Sequence, residues 1–197
     1  MSDYTAIRDA VLSVRDLLRR HITDTAELGL HGVPIDLRGP RELELSNVDV
    51  AVSLWLHRVE SQPDLLNRPA PRPDASHEFH TQTPVELCLH VTPINNDAGT
   101  RLLLTGRIAQ IFTDHRRLSG ADLVGSLAGS TTTLQLGMEQ LGAYELNLLW
   151  SSLHTYLRVG IGLRIEGVVI DSHLPPMSSA RVLAAATSIG DIVGSSP

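Results

Sequence analysis

The sequence predicts a single α+β domain with a mostly antiparallel sheet and helices packed on one face. Three observations predict it. Apolar residues recur at spacings of three and four in some segments and at a spacing of two in others. These segments follow one another as helix, strands, helix, strand, helix, strand. The chain has 197 residues, 42% hydrophobic and 19% charged. A chain that long buries roughly 70% of the surface its unfolded form exposes, which suits one core without a metal or disulfide staple.

The opening helix is read from Tyr4, Ile7, Val11, Val14 and Leu18, which form one apolar stripe. Ser2 or Asp3 is its expected cap, Arg15, Arg19 and Arg20 suit its far end, and Gly29 and Gly32 stop it. A short apolar piece, Val33 to Leu37, follows and is broken by Gly39-Pro40. From Asn47 the period becomes two. Val48, Val50, Val52, Leu54 and Leu56 point one way; Asp49, Ala51, Ser53, Trp55 and His57 point the other.

Gln62 to Thr83 holds Pro63, Pro69, Pro71 and Pro73 and reads as a long irregular loop. Val85, Leu87, Leu89 and Val91 then alternate in a second strand ending near Thr92. Leu104, Ile108, Ile111 and His115, widened by Leu103 and Phe112, predict a helix over Gly99 to Arg116. Gly120 to Ser130 punctuates, and Thr131 to Leu136 reads as a short strand. A third helix after Gly142 carries Leu146, Leu149, Trp150 and Leu153. The last strand, Tyr156 to Ile170, alternates Val159, Ile161, Leu163 and Ile165 against glycines and charges. Residues 1–171 are expected to form the domain and 172–197 an irregular tail, with a brief helix over Ala180 to Ala186. Val52, Leu54, Leu87, Leu89, Ile161 and Leu163 are expected on one buried face.

The formal net charge is −6, which argues against a nucleic-acid partner. All 16 basic residues are arginine, so Schiff-base chemistry and a phosphate-loop lysine are excluded. Arginine's planar fork also suits protein interfaces. One cysteine, Cys88, rules out an internal disulfide framework and a cysteine zinc cluster. No apolar run reaches the roughly 20 residues that span a bilayer. The first residues lack a secretory pattern, so the expectation is a cytoplasmic protein without a membrane partner.

Nine histidines raise the question of a metal. His77 and His80 stand three apart in the proline-rich stretch, whereas a zinc peptidase needs the pair four apart on a helix. His57 and His90 fall on neighbouring strands and the same face, but without a third ligand in register. There is no Gly-x-Ser-x-Gly, and Gly125-Ser-Leu-Ala-Gly-Ser130 has neither dinucleotide nor phosphate-loop spacing. The residues predict neither catalysis nor a cofactor. What stands out is two long non-periodic stretches on a compact core, the kind of arm that reaches neighbouring subunits.

Val52-Ser-Leu-Trp-Leu-His-Arg-Val59, followed by Asn67-Arg68-Pro69, resembles the strand-and-loop signature of the tail-terminator (cap) proteins of phage-tail-like contractile injection systems. Thr83 to Pro93 is similar to that family's second strand, Leu102 to His115 to its following helix, and Leu149 to Leu153 to its closing helix. The resemblance covers about Tyr4 to Asp171 and departs at Val91 to Pro93, where the family has aromatic residues. It implies a non-catalytic protein that forms a ring, generally a hexamer, on the baseplate-distal end of sheath and inner tube. Such a ring ends polymerisation and anchors sheath to tube, so its partners are itself, the sheath protein and the inner-tube protein. Asn67, Arg68 and Arg72 are the candidate interface residues. The competing readings are an adaptor or assembly chaperone for another complex and a small enzyme with a metal on His57, His90 and a carboxylate.

Overall fold

The computed structural model describes residues 4–27, 29–62 and 82–173. Six strands form one sheet: β1 (Ile35–Asp36), β2 (Val50–Ser61), β3 (Gln82–Asn95), β4 (Arg117–Ser119), β5 (Thr133–Glu139) and β6 (Ile161–Asp171). Their spatial order is β1-β2-β3-β6-β5-β4. β1 lies parallel to β2 and every other neighbouring pair is antiparallel. Among the described residues four α-helices accompany the sheet: α1 (Ala6–Leu18), α2 (Pro40–Leu45), α3 (Ala98–Asp114) and α4 (Ala143–Ser152). The domain is therefore α+β with a mostly antiparallel sheet, as its periodicities predict.

β2 and β3 rise from the alternation read in the sequence. Val52, Leu54, Leu87, Leu89 and Leu163 are fully buried and Ile161 packs against them, in one cluster with α1 and α3. β3 runs without irregularity, whereas each of its neighbours carries a bulge, at His57 on β2 and at Glu166–Gly167 on β6. Gly167 is required there: its φ is +89°, and any Cβ would meet the Thr133 carbonyl. β3 also extends past the predicted end at Thr92 to Asn95. Pro93 fits inside it because the Val52 N–H opposite points away, to Pro34, so position 93 faces the β6 side, where pairing has stopped at Val91–Ile161. No ladder bond is lost to its missing N–H.

The helices depart from the sequence reading in instructive ways. α1 starts at Ala6, so Tyr4 is 86% exposed and does not join the apolar stripe; the buried face is Ala6, Asp9, Ala10, Val11, Ser13, Val14, Leu17 and Leu18. It continues into a π-helical turn over Arg19–Thr23. Its expected caps Ser2 and Asp3 lie outside the described residues. α3 begins with Asp97 accepting the Thr100 N–H at 2.6 Å, and it buries Leu104, Ile108, Ile111 and Phe112 while Leu103 stays exposed.

Gly39-Pro40, read as a break, instead starts α2, with the Gly39 N–H donating to Glu42 Oε2 at 2.9 Å. α4 opens the same way, Gly142 N–H to Glu145 Oε2 at 2.8 Å. These two short helices lie on the sheet face opposite α1 and α3, where Leu43 packs on Ala51 and Ile94 and Trp150 packs on His90. The last strand starts at Ile161 rather than Tyr156, and Tyr156, Leu157 and Val159 are exposed. The body of the predicted loop, 63–81, and the predicted helix over Ala180 to Ala186 fall outside the described residues.

Leu54 is fully buried, so Leu54→Ala is expected to cost about 2–5 kcal/mol in urea unfolding. Leu148→Ala, on a side chain that is 51% exposed, is expected to change stability by less than about 0.5 kcal/mol.

Candidate docking surface

β1 is two residues long and pairs only with Val52 and Ser53. Beyond it the chain turns away into α2, held by Ser53 Oγ donating to the Arg38 carbonyl at 2.7 Å. Among the described residues no strand covers the outer edge of β2 from Leu54 to Ser61. The Val52 N–H faces outward to Pro34, so the peptide groups of Leu54 and Leu56 face outward as well, up to the bulge at His57. This is a row of open backbone donors and acceptors of the kind that accepts an added strand.

Along the same edge runs an apolar groove of about 370 Å³, lined by Tyr4, Ile7, Arg8 and Val11 from the start of α1, Leu37, and Leu54 and Leu56. A strand laid on β2 would point alternate side chains into it. Edge and groove together specify an extended segment with apolar residues two positions apart.

The groove's helical wall is fixed by a buried carboxylate. Asp9 is 1% exposed and accepts the Ser126 N–H at 2.7 Å, the Ser126 hydroxyl at 2.8 Å and Arg8 Nε at 2.8 Å. Thr5 donates to Ser126, and Ser13 takes the Val124 N–H while donating to the Asp9 carbonyl. The Gly/Ser-rich stretch is thus an ordered turn clamped to α1. Gly125 belongs there by necessity, with φ +62° and the Asp9 carboxylate where a Cβ would sit. Burial alone would raise the Asp9 pKa, but Arg8 and Ser126 outweigh it and hold the carboxyl well below the usual range.

The other sheet face is polar and crowded. Arg58 on β2 reaches Glu139 on β5 at 3.0 Å, although β3 and β6 lie between those strands, so the sheet curls around this face. Arg58 also meets Glu60 at 3.2 Å, and Arg164 meets Glu86 at 3.6 Å. His57 and His90 share this face, as their strands predict, and burial lowers the pKa of both. Among the described residues no third ligand joins them; the one grouping with metal-ligand proximity is Glu60, Glu86 and Cys88. Its Glu86 is engaged by Arg164 and by Gln62 Nε2, and burial, the leading cause, raises the Cys88 pKa and disfavours a thiolate ligand.

The candidate interface residues Asn67, Arg68 and Arg72 lie outside the described residues. What the sequence reading missed is the β2 edge itself, because an open edge is a property of pairing and not of periodicity. It also missed Asp9, whose one trace is an acid at a position inside the buried stripe of a helix. A further missed contact ties the segment after α4 to α2: Glu44 accepts from Thr155 Oγ1 at 2.6 Å and from Arg158 Nε at 2.8 Å. No described helix is long and apolar enough to cross a membrane.

These observations define an α+β sheet domain with one groove-flanked edge that is open among the described residues. The chain belongs to the Pvc16 N-terminal domain family, whose model matches residues 11–184. Its fold is similar to the sheath/tube terminator of an extracellular contractile injection system, PVC, in the extended state. That match has a TM-score of 0.67 and 16% identity, and covers 100% of this chain and 67% of the other. It is also similar to the tube-terminating cap of the anti-feeding prophage, with a TM-score of 0.57 and 14% identity over 90% of this chain and 59% of that one. No curated protein sequence matches.

Because Asp9 titrates lower in the folded chain than its ordinary 3.8, its stabilising contribution is present above about pH 4 and is lost as the pH falls below that value. An acid titration of unfolding free energy is expected to show this loss, and Asp9→Asn to flatten it. Gly125→Ala is expected to cost more than Gly129→Ala in the same assay. Both glycines have positive φ, but only at Gly125 does a Cβ collide with Asp9.

Proposed function

We propose that this chain is a structural cap that seats on the last layer of sheath and inner tube in a contractile particle. There it ends polymerisation and holds sheath to tube. The observation that carries the reading is the open β2 edge and its apolar groove in a fold similar to two terminators. Each added layer of a polymer displays the same unsatisfied surface as the layer below. A terminator must engage that surface and present a different one. A sheet with an accepting edge on the twelve-residue β2 and the three-residue β4 at its other edge has that asymmetry. The role asks for binding and shape rather than bond-making, and we assign the chain no catalysis.

In this reading the functional unit is a ring, a hexamer matching six-fold tube symmetry, assembled in the cytoplasm with the rest of the particle. Its partners are copies of itself, the sheath protein and the inner-tube protein. Asn67, Arg68 and Arg72 remain our proposed contact residues, since arginine is favoured at protein interfaces.

Deletion of the gene is expected to leave tube and sheath synthesis intact while particles lose uniform length or shed their sheath in negative-stain micrographs. Uniform, intact particles from the deletion strain would overturn the reading. Arg68→Glu is expected to reproduce part of that phenotype with the melting temperature of the purified chain shifted by less than about 2 °C.

A further inference from the structure

α4 rests on the sheet through one anchor. Trp150 is 2% exposed and stands edge-on to His90, ring centroids 5.9 Å apart. Leu146 and Leu149 are half-buried, and Tyr144 and Leu148 are exposed. A groove of about 310 Å³ opens between the helix residues Leu148 and Leu149 and the sheet residues His57 and Arg58. Open space therefore separates the helix surface at Leu148 and Leu149 from the sheet at His57 and Arg58.

The anchor sits on an unfavourable floor, which Gly160 also covers, against His90 Nε2 and Thr92 Oγ1. His90 is 2% exposed, yet neither of its ring nitrogens has a hydrogen-bond partner, nor does the fully buried Thr92 hydroxyl, nor Trp150 Nε1. A buried polar group without a partner is a standing cost of docking. His57 brings a second ring whose Nε2 is likewise buried and without a partner. The charged groups around them are already engaged. Arg58 is held by Glu60 and Glu139, Arg164 by Glu86, and Glu145 on α4 accepts from the Gly142 N–H. Cys88 on β3 is driven toward its neutral thiol, chiefly by burial. No described carboxylate is hydrogen-bonded to His90. Closed over this floor, α4 leaves no counter-ion for a proton on His90, whereas His57 feels the Glu60 carboxylate, an attraction outweighed by burial and Arg58.

The ends of α4 permit movement. Gly142 precedes it, and His154 after it has φ +52°, beyond which Thr155 and Arg158 are fastened to Glu44. We propose that α4 is a flap over His90, closed while that histidine is neutral and lifted from the sheet when His90 and His57 take up protons. Burial, the leading cause, with His57 second, pushes His90 down to about 4 in the closed form. Released into water, the ring returns toward its ordinary 6.5. The open form therefore binds more protons. Closure is at full strength above about pH 6.5, weakens by up to tenfold per pH unit below it, and stops weakening near pH 4.

Trp55→Phe leaves Trp150 as the sole tryptophan and reports the flap directly. Between pH 7 and pH 4.5, acrylamide quenching of Trp150 is expected to rise several-fold while the far-ultraviolet circular dichroism of the sheet is retained. His90→Gln in the same background is expected to abolish the rise. Quenching that stays flat until the circular dichroism itself collapses would overturn the proposal, as would a rise unchanged by His90→Gln. If that variant does not fold, hydrogen exchange of the unaltered chain at pH 7 and pH 5.5, corrected for intrinsic rates, decides. Exchange in residues 143–152 that accelerates by tenfold or more while α3 does not supports the flap, and equal behaviour of the two helices overturns it.

Discussion

The arrangement depends on β3, which from Val85 to Val91 is paired along both edges and buried on both faces for most of that length. Val85, Leu87, Leu89 and Val91 face the core under α1 and α3, while Cys88, His90, Thr92 and Ile94 face the opposite side. A strand enclosed on four sides has no room for irregularity, and it has none. The adjustments fall on its neighbours, as the bulge at His57 on β2 and the bulge at Gly167 on β6. Bulges increase local twist, and the result is a sheet curled far enough for Arg58 and Glu139 to meet across two intervening strands. These ion pairs are half-exposed and are worth about 0–1 kcal/mol each, so they report the curl more than they cause it.

Two-sided burial of β3 also explains why the faces differ in quality. The α1–α3 side is lined by aliphatic side chains alone along β3. The other side must cover a histidine and a threonine that find no protein partner. Among the described residues two short helices and the segment at Gly160 cover it, one helix through a single tryptophan. A well-packed face and a loosely covered face on one sheet give the domain a rigid half and a responsive half.

The rigid half presents the docking edge. α1 forms the groove wall beside β2, and Asp9 holds α1 against the turn at Gly125–Leu127. Strand addition needs a preformed edge, because any freedom in the acceptor is lost on binding. An open strand edge is ordinarily a liability, managed by shortness, charge or cover. Here the far edge of the sheet is blunted by the three-residue β4, while the β2 edge stays long and flanked by apolar surface. That difference between two edges of one sheet is the asymmetry on which the proposed cap role rests.

The sequence by itself determined the long periodic elements. The alternation through Val52 and Leu54 and through Leu87, Leu89 and Val91, and the helical spacing of Leu104, Ile108 and Ile111, reappear in β2, β3 and α3 because one aliphatic core face writes a regular pattern along the chain. Composition likewise excluded lysine chemistry and an internal disulfide. Only the tertiary structure decided the order of the strands, the parallel β1, the three-residue β4 and the start of β6 at Ile161 rather than Tyr156. Elements that short have no stability of their own and exist through the neighbours that complete their hydrogen bonds. Asp9 and the β2 edge belong to the same class. A carboxylate becomes a clamp when residue 126 is folded against it, and an edge is open when the strand beside it stops. Neither condition is local, so neither leaves a period to read.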